Sequence, residues 1–204
     1  MSECRPAFLL GRYSDPVAGR ALLIMDLQRG IVERFAAQAQ ALLGTLAGAA
    51  AAARLAGVPV IFVRVAFRDG APEISARNRA FSAIGAAKGM GEHDAATQIH
   101  PALHPQPDDI VLTKRRVSAF AGSDLEVLLR SLQVTSLTLA GIATSGVVLS
   151  TLRQAADLDY ELTVLADGCL DSDPEVHRVL LGKVFPRQAS VIDTAQWIQA
   201  LADG

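Results

Sequence analysis

Cysteine is scarce in this sequence, because only Cys4 and Cys169 occur among its 204 residues. The two lie far apart, and neither belongs to a closely spaced set of cysteines and histidines. Neither a disulfide framework nor a zinc-binding spacing is therefore expected. A chain without disulfides suits a reducing compartment, so the sequence predicts a cytoplasmic protein.

Long apolar runs are missing too, as is a marked excess of one charge. No stretch approaches the ~20 apolar residues that a membrane helix needs, and the first residues lack the pattern of a signal peptide. The formal net charge is −2, and the basic residues are scattered apart from the pair Arg115-Arg116. Neither a membrane nor a nucleic acid is expected as a partner. The ordinary composition instead predicts one globular domain over residues 1–204.

Short apolar runs mark six candidate strands. They are residues 21–25, 58–65, 109–113, 136–140, 162–165 and 189–192. The patterns between and after them predict helices over residues 29–55, 123–132, 145–158, 173–184 and 194–202. Apolar strands that alternate with helices are typical of a parallel sheet covered on both faces. The sequence thus predicts an α/β fold of three layers, α/β/α, with a six-stranded and mainly parallel sheet.

Two helix starts carry specific signals, and one connection is unusually long. Ser123 followed by Glu126 predicts a capping box, and Asp173-Pro174 predicts a cap followed by proline at the first helical position. Residues 66–108 are too many and too polar for a simple crossover between strands. We expect this insertion to act as a lid or specificity loop.

Two charged residues stand directly after predicted strands. Asp26 follows the first strand and Lys114 the third, and ligands of open parallel sheets bind beyond these carboxyl ends. A carboxylate beside a lysine in a cleft can hold and pass a proton, so Asp26 and Lys114 are the candidate catalytic pair. Each alone has an ordinary alternative: Asp26 as a turn or cap residue, and Lys114 as a solvated residue that flanks a strand.

The fourth strand leads through Gly141 into a polar turn that opens a helix. Such a turn aims backbone N–H groups at the cleft and can bind an anion or a developing oxyanion. Equally, Thr144 or Ser145 can simply cap the helix that follows. The pattern alone leaves both interpretations open.

Three segments together resemble the isochorismatase-like family, which includes nicotinamidases, N-carbamoylsarcosine amidases and isochorismatases. They are Leu23–Gln28 (LIMDLQ), Thr113–Phe120 (TKRRVSAF) and Gly141–Thr144 (GIAT), in the order that the family has. The resemblance runs from about residue 20 to the end. It implies a six-stranded parallel sheet, an Asp and a Lys in the site, a cis peptide at Ile142-Ala143 and a homo-oligomer.

The chain departs from most of this family at one position. The resemblance implies a cysteine nucleophile on the turn after the fourth strand, and the matching residue here is Val147. Neither Cys4 nor Cys169 matches that position, and Cys169 is interpreted as a small buried hydrophobic residue. Isochorismatases also lack this cysteine, and in them the Asp is thought to protonate a vinyl ether. The turn Thr144–Val147 nevertheless differs from theirs, so the substrate does not transfer.

No metal and no other cofactor is expected. The metal-binding nicotinamidases carry an Asp and two His after the second strand, where this chain has Arg68–Ser75 without histidine. The histidines of the chain stand at irregular spacing and are interpreted as surface or loop residues. They are His93, His100, His104 and His177.

Three functional hypotheses follow. The first is a hydrolase of a small molecule that uses Asp26 as general acid/base with Lys114 and forms no cysteine adduct. The second is an amidase-type hydrolase with Ser145 or Thr144 as a substitute nucleophile, and the third is an inactive homologue that only binds. The candidate substrate contacts are Gln28, Arg68, Arg116, Ala143, Thr144, Ser145 and Val147, with Arg77 and Arg79 as further candidates for an acidic group.

Overall fold

A computed structural model describes residues 19–85 and 89–203 of the chain. Its strands form one parallel sheet of order β3-β2-β1-β4-β5-β6. The strands are β1 (Arg20–Met25), β2 (Val60–Val65), β3 (Ile110–Lys114), β4 (Ser136–Ile142), β5 (Glu161–Leu170) and β6 (Ser190–Ile192). The predicted six-stranded parallel sheet is confirmed. Cys4 lies outside the described residues, and the single domain over residues 1–204 stays a prediction.

Helices cover both faces of the sheet, which confirms the three-layer architecture. They are α1 (Arg29–Val32), α2 (Ala36–Leu55), α3 (Arg79–Gly85), α4 (Leu125–Ser131), α5 (Leu149–Asp157), α6 (Pro174–Val179) and α7 (Thr194–Ala202). One apolar core lies between the sheet and α2 with α7, where Leu22 and Ile24 of β1 face Leu46 and Trp197. The other core lies on the side of α4 and α5, where alternate β1 residues such as Leu23 point. No helix among the described residues is both long enough and apolar enough to span a bilayer.

β1 and β4 are neighbours at the centre of the sheet. After β1 the chain extends the sheet towards one edge, through β2 to β3, and after β4 it extends the sheet towards the other, through β5 to β6. In open parallel sheets this is the point where a crevice opens beyond the carboxyl ends. Met25 at the end of β1 lies in register with Gly141 of β4. The residue after β1 and the turn after β4 therefore lie side by side.

Three predicted helices differ from the observed ones. The helix predicted over 29–55 is broken by a 3₁₀ turn at Glu33–Phe35. The turn before the break, α1, contacts the insertion, where Arg29 N–H donates to Gln98 O (3.0 Å). The helix predicted over 145–158 opens with a π-helical turn, Thr144–Val148, before α5 begins. The helix predicted over 173–184 becomes π-helical after Val179.

The two predicted helix caps had different outcomes. The Asp173 cap is confirmed, since its side chain accepts hydrogen bonds from Glu175 N and Val176 N. The Ser123 capping box is wrong: Asp124 is the N-cap of α4, which begins at Leu125, and the Ser123 hydroxyl accepts from Leu125 N (3.3 Å) while it donates to Ala119 O (2.6 Å). A capping box does occur at α7, between Asp193 and Gln196.

Candidate active site

The side chains of Asp26 and Lys114 meet beyond the carboxyl ends of β1 and β3. Asp26 Oδ2 lies 2.8 Å from Lys114 Nζ, and both residues are buried. Asp26 has a left-handed backbone, with φ of +60°, which is uncommon for residues other than glycine but best tolerated by Asn and Asp. Its N–H still donates to Val63 O of β2 (2.8 Å). The approach of the two side chains expected from their strand-end positions is present.

Lys114 is held as a fixed cation. Besides the contact with Asp26, its Nζ donates to Arg116 O (3.1 Å) and to Val117 O (2.8 Å). An ammonium group has three N–H donors, so these contacts use all of them. The loop that follows β3 therefore wraps around the charge and fixes its position.

Asp26 is held by only one of its two carboxylate oxygens. Within the part of the chain that the structure describes, Oδ1 is buried and has no hydrogen-bond partner. Burial raises the pKa of the Asp26 carboxyl above its ordinary value, and the charge and hydrogen bond of Lys114 oppose that rise. A carboxyl group with a free oxygen and a raised pKa is suited to giving and taking a proton.

The turn after β4 approaches this pair closely. Gly141 has a φ of +150°, and a Cβ at this position would stand 2.2 Å from Met25 O, so only glycine lets β4 come this near to the end of β1. The Ile142-Ala143 peptide is cis, where the family resemblance placed it. Thr144 and the next residues then form the π-helical turn beside Asp26.

Two residues from the segment after β5 hold this turn. Asp171 Oδ2 accepts a hydrogen bond from Ser145 N at 2.6 Å. Thr144 Oγ1 lies 2.8 Å from His177 Nδ1, and the histidine tautomer decides which of the two donates. Although burial raises the pKa of the Asp171 carboxyl, hydrogen bonds from Ser145 and nearby backbone N–H groups bring the pKa below its usual value.

A model of the isochorismatase domain matches residues 20–196 of the chain. The chain belongs to the isochorismatase family. Its class is that of a hydrolase, and the Asp26–Lys114 pair with its neighbouring cis peptide lies within the matched region.

Two relatives and one solved structure illustrate this likeness. The uncharacterized isochorismatase family protein YecD of Escherichia coli O157:H7 is 34% identical over 185 residues, which cover 89% of this chain and 95% of YecD. The ureidoacrylate amidohydrolase RutB of Methylobacterium radiotolerans is 33% identical over 173 residues, covering 76% and 66% of the two chains. An isochorismatase family protein from Burkholderia thailandensis is 29% identical, with a TM-score of 0.79 over 91% of this chain and 96% of the other.

Val147, which the sequence predicts to stand at the family's cysteine position, is buried in the turn. It packs in the same apolar cluster as Met25 and Phe120, and it has no group that can attack a substrate. Cys169 lies in β5, in register with Gly141, but it is buried and burial raises the pKa of its thiol to about 12. A thiol in this state is almost entirely protonated near neutral pH and is a poor nucleophile.

Gln28 serves as a clamp in this structure. Its Nε2 donates to Val65 O and Thr97 O, each at 2.9 Å, and its Oε1 accepts from Val65 N at 2.8 Å. The residue is 1% exposed, and the donors and the acceptor of its amide are occupied within the protein. This geometry favours a structural role for Gln28 over the substrate contact expected from the sequence.

The two candidate arginines are engaged with the insertion. Arg68 forms an exposed ion pair with Glu73 (2.7 Å), whereas Arg116 donates to Glu73 O (2.7 Å). The Arg116 guanidinium also lies 5.7 Å from the ring centroid of Phe81 in α3. Arg77 and Arg79 are exposed on the same insertion, and Ala143 packs partly buried against the core beneath α2.

Arg115 ties the insertion to the loop that holds Lys114. Its guanidinium donates to Ala66 O and forms an ion pair with Glu92, while its Nε lies 3.5 Å from Glu73 Oε1. The nearby residues of the insertion enclose a cavity of about 280 Å³. That cavity is lined by Phe67, Arg68, Asp69, Gly70, Ala71, Gly89, Met90, Gly91 and Asp94.

Sequence reasoning missed Asp171 and His177 as parts of this site. Asp171 directly follows β5, which ends at Leu170. The strand predicted there ended at residue 165, so the strand-end argument that found Asp26 did not reach Asp171. His177 gave no such signal, because a single histidine on a helix does not reveal what it faces. Across residues 19–85 and 89–203, no three His, Cys, Asp or Glu side chains form a group that could hold a metal, and the metal-free site stays a prediction.

Proposed function

We propose that the chain hydrolyses a small molecule by acid–base catalysis at Asp26, without a cysteine adduct, as in vinyl-ether hydrolysis or a related reaction. The observation that carries the proposal is the asymmetric pair: Asp26 Oδ2 binds Lys114 Nζ at 2.8 Å, whereas the buried Oδ1 has no partner among the described residues. One oxygen is fixed by the lysine, and the other is available to a substrate.

We expect a vinyl ether to react in three steps. The Asp26 Oδ1–H gives its proton to the terminal vinyl carbon, which forms a C–H bond with the π electrons, and the positive charge develops on the neighbouring carbon, where the ether oxygen stabilises it. Water attacks this oxygen-bearing carbon and returns a proton to Asp26. The resulting hemiketal moves its hydroxyl proton to the ether oxygen and breaks into an alcohol and a ketone. Lys114 stabilises the Asp26 carboxylate between the two proton transfers.

The surroundings of the pair support a mechanism without a thiol adduct. Val147 stands at the position where most of the family has its cysteine, and the Cys169 thiol is buried with its pKa raised to about 12. Without a thiol nucleophile, catalysis needs a group that can donate a proton. The raised pKa of the Asp26 carboxyl suits it to that role.

Asp26→Asn tests the proposal directly. The amide keeps the shape of the side chain but cannot titrate, so turnover should fall by a factor of ~10²–10⁴. Turnover is measured on whichever compound reacts in a panel of vinyl ethers, ureido acids, amides and esters, with folding checked by circular dichroism.

Asp109→Asn is the matched control. Asp109 also has a buried side chain and forms an ion pair, 2.6 Å from Arg54, but it stands at the start of β3, at the opposite edge of the sheet. This variant should keep its turnover. A fully active Asp26→Asn protein would rule out acid–base catalysis at this residue.

A second candidate function is amide hydrolysis with Thr144 as nucleophile. The hydrogen bond between Thr144 Oγ1 and His177 Nδ1 is the contact that a general base makes with a hydroxyl nucleophile, and RutB, 33% identical, is an amidohydrolase by name. Against it, Thr144 is fully buried. Ser145, the other candidate of this kind, is exposed but has no such histidine contact among the described residues. Mass spectrometry of the protein during turnover separates the two mechanisms, because only the second produces an acyl adduct.

The third hypothesis, an inactive homologue that binds a small molecule, predicts that no compound of the panel reacts. A buried ion pair can persist as a structural element without any catalytic role. In that case thermal shifts on adding the same compounds would reveal binding without turnover.

We also propose that the protein works in the cytoplasm as a homo-oligomer, with neither a nucleic acid nor a membrane as partner. Light scattering coupled to size-exclusion chromatography measures the oligomeric state, and a mass equal to that of one chain would exclude the homo-oligomer.

A further inference from the structure

We propose that His177 is a positioning residue, which fixes the catalytic turn after β4 through the hydroxyl of Thr144. This inference rests on the proposed function, since it requires that substrate reacts at Asp26, beside that turn. Its experimental test includes a measurement that needs no substrate, so the two proposals can fail separately.

The first observation is that two consecutive turn residues are held from one outside segment. Asp171 accepts from the backbone N–H of Ser145 (2.6 Å), and His177 contacts the side chain of Thr144 (2.8 Å). Both holders belong to the segment that runs from the end of β5 into α6. The turn is thus fixed at two adjacent points, one on its backbone and one on a side chain.

The second observation is where this turn lies. Gly141 is in register with Met25, the residue before Asp26, and Val147 of the turn packs in the same cluster as Met25. A displacement of the turn therefore changes the space beside the Asp26 carboxyl. Small displacements of a bound substrate lower the rate of the chemical step far more than they weaken binding.

The third observation is the burial of Thr144, which favours a positioning role for His177 over base catalysis. Thr144 is fully buried whereas His177 is partly exposed, so the hydroxyl faces the histidine and the protein interior. If its partner is removed, a buried hydroxyl is left without a hydrogen bond, and the folded turn is destabilised. The segment after β5 is itself anchored by the Asp173 cap of α6, so His177 is presented from a defined helix start.

The experiment is a double-mutant cycle of His177→Ala and Thr144→Val, with His177→Asn as the conservative variant. Each single change should lower kcat about tenfold with little change in KM, since a buried hydrogen bond is lost. The double variant should lose no more than about the same tenfold, because one interaction is removed only once. His177→Asn should restore most of kcat, since an asparagine amide can take the place of Nδ1 but cannot act as a base.

A control and a structural measurement accompany the cycle. Arg178→Ala changes the neighbouring residue of α6, whose exposed ion pair with Glu175 lies outside the site, and should leave kcat unchanged. Hydrogen exchange of the amides of residues 143–148, followed by mass spectrometry, should be about fivefold faster in His177→Ala and normal in His177→Asn.

Three outcomes would overturn the inference. Losses that multiply in the double variant would mean that His177 does not act through Thr144. Failure of His177→Asn to restore kcat, despite normal exchange, would make the histidine a base and favour the Thr144 nucleophile. Unchanged exchange in His177→Ala would remove the positioning role whatever the turnover. Failure of the acid–base proposal would instead be seen in Asp26→Asn.

Discussion

At the scale of single residues, the two members of the proposed catalytic pair, Asp26 and Lys114, are held unequally. Lys114 has every donor of its ammonium group occupied, two of them by backbone carbonyls of its own loop. These contacts keep its Nζ in one place beside the Asp26 carboxylate. The burial that raises the pKa of Asp26 and the lysine that opposes this rise together set how readily the proton leaves.

Replacing the lysine should therefore move the pH dependence in a defined direction. In Lys114→Gln the influence that lowers the pKa of Asp26 is lost, while the burial that raises it remains. The limb of the profile of kcat/KM that reports Asp26 ionisation should shift to higher pH, and kcat should also fall. The measurement is kcat/KM across the pH range in which the protein stays folded.

Lys183→Gln removes an exposed lysine of the helical segment after α6 and should leave the profile in place. A Lys114→Gln profile with the same limb as the unaltered protein would show that Lys114 does not set the charge state of Asp26.

At the scale of elements, the strands were predictable and the helix starts only partly so. Each strand is an apolar run that is recognisable without knowledge of its neighbours, and Asp26 and Lys114 followed from the strand ends. The contact of Arg29 N–H with Gln98 O beside the broken helix was not predictable, because the two residues are distant in sequence. The Ser123 capping box failed for a local reason, since α4 begins at Leu125, one residue later than a cap at Ser123 requires.

The functional site shows the same division between local and distant information. The prediction that Val147 replaces a nucleophile rests on its position alone. The contact of His177 with Thr144 joins residues 33 positions apart, and no periodicity in the sequence marks it. Gln28 was predicted as a substrate contact, and its hydrogen bonds to Val65 and Thr97 could not be foreseen because they depend on how the insertion folds back.

The junction of β1 and β4 should be intolerant of a side chain at Gly141. A methyl group there would meet Met25 O at 2.2 Å with φ at +150°, so the two strands would have to separate. We expect Gly141→Ala to lower the free energy of unfolding by about 2–4 kcal/mol. Urea unfolding measures the change.

Gly44→Ala is the control variant and should raise the free energy of unfolding. Gly44 lies within α2, and a Cβ there would have nothing within 4 Å, so alanine should add about 0.5–1 kcal/mol by favouring the helix. If Gly141→Ala were as stable as the unaltered protein, the close approach of β4 to β1 would not be a requirement of the fold.

At the scale of the whole molecule, the insertion is joined to the carboxyl end of the sheet by polar contacts. Among them are the partly buried contacts of Arg115 with Ala66 O, Glu92 and Glu73. Because Arg115 directly follows Lys114, the same loop that contacts Lys114 Nζ also holds the insertion.

Loss of this arginine should loosen the insertion without unfolding the sheet. In Arg115→Gln, limited proteolysis within residues 66–94 should become about tenfold faster or more, since several hydrogen bonds to a charged group are removed. Arg130→Gln, which removes an exposed ion pair on α4 with Glu126, should leave the cleavage rate unchanged. Equal rates in the two variants would mean that Arg115 does not anchor the insertion.

The Gln28 clamp has a consequence for how this protein can diversify. Its side-chain amide pairs with both the N–H and the C=O of Val65, as the backbone of a neighbouring strand would, and also with Thr97 O. One side chain thus ties the end of β2 to Thr97 within the insertion. Under the proposed function, the residues between these two points can be exchanged for a loop of different length or chemistry while Asp26 and Lys114 keep their places, so selectivity and reactivity can evolve independently.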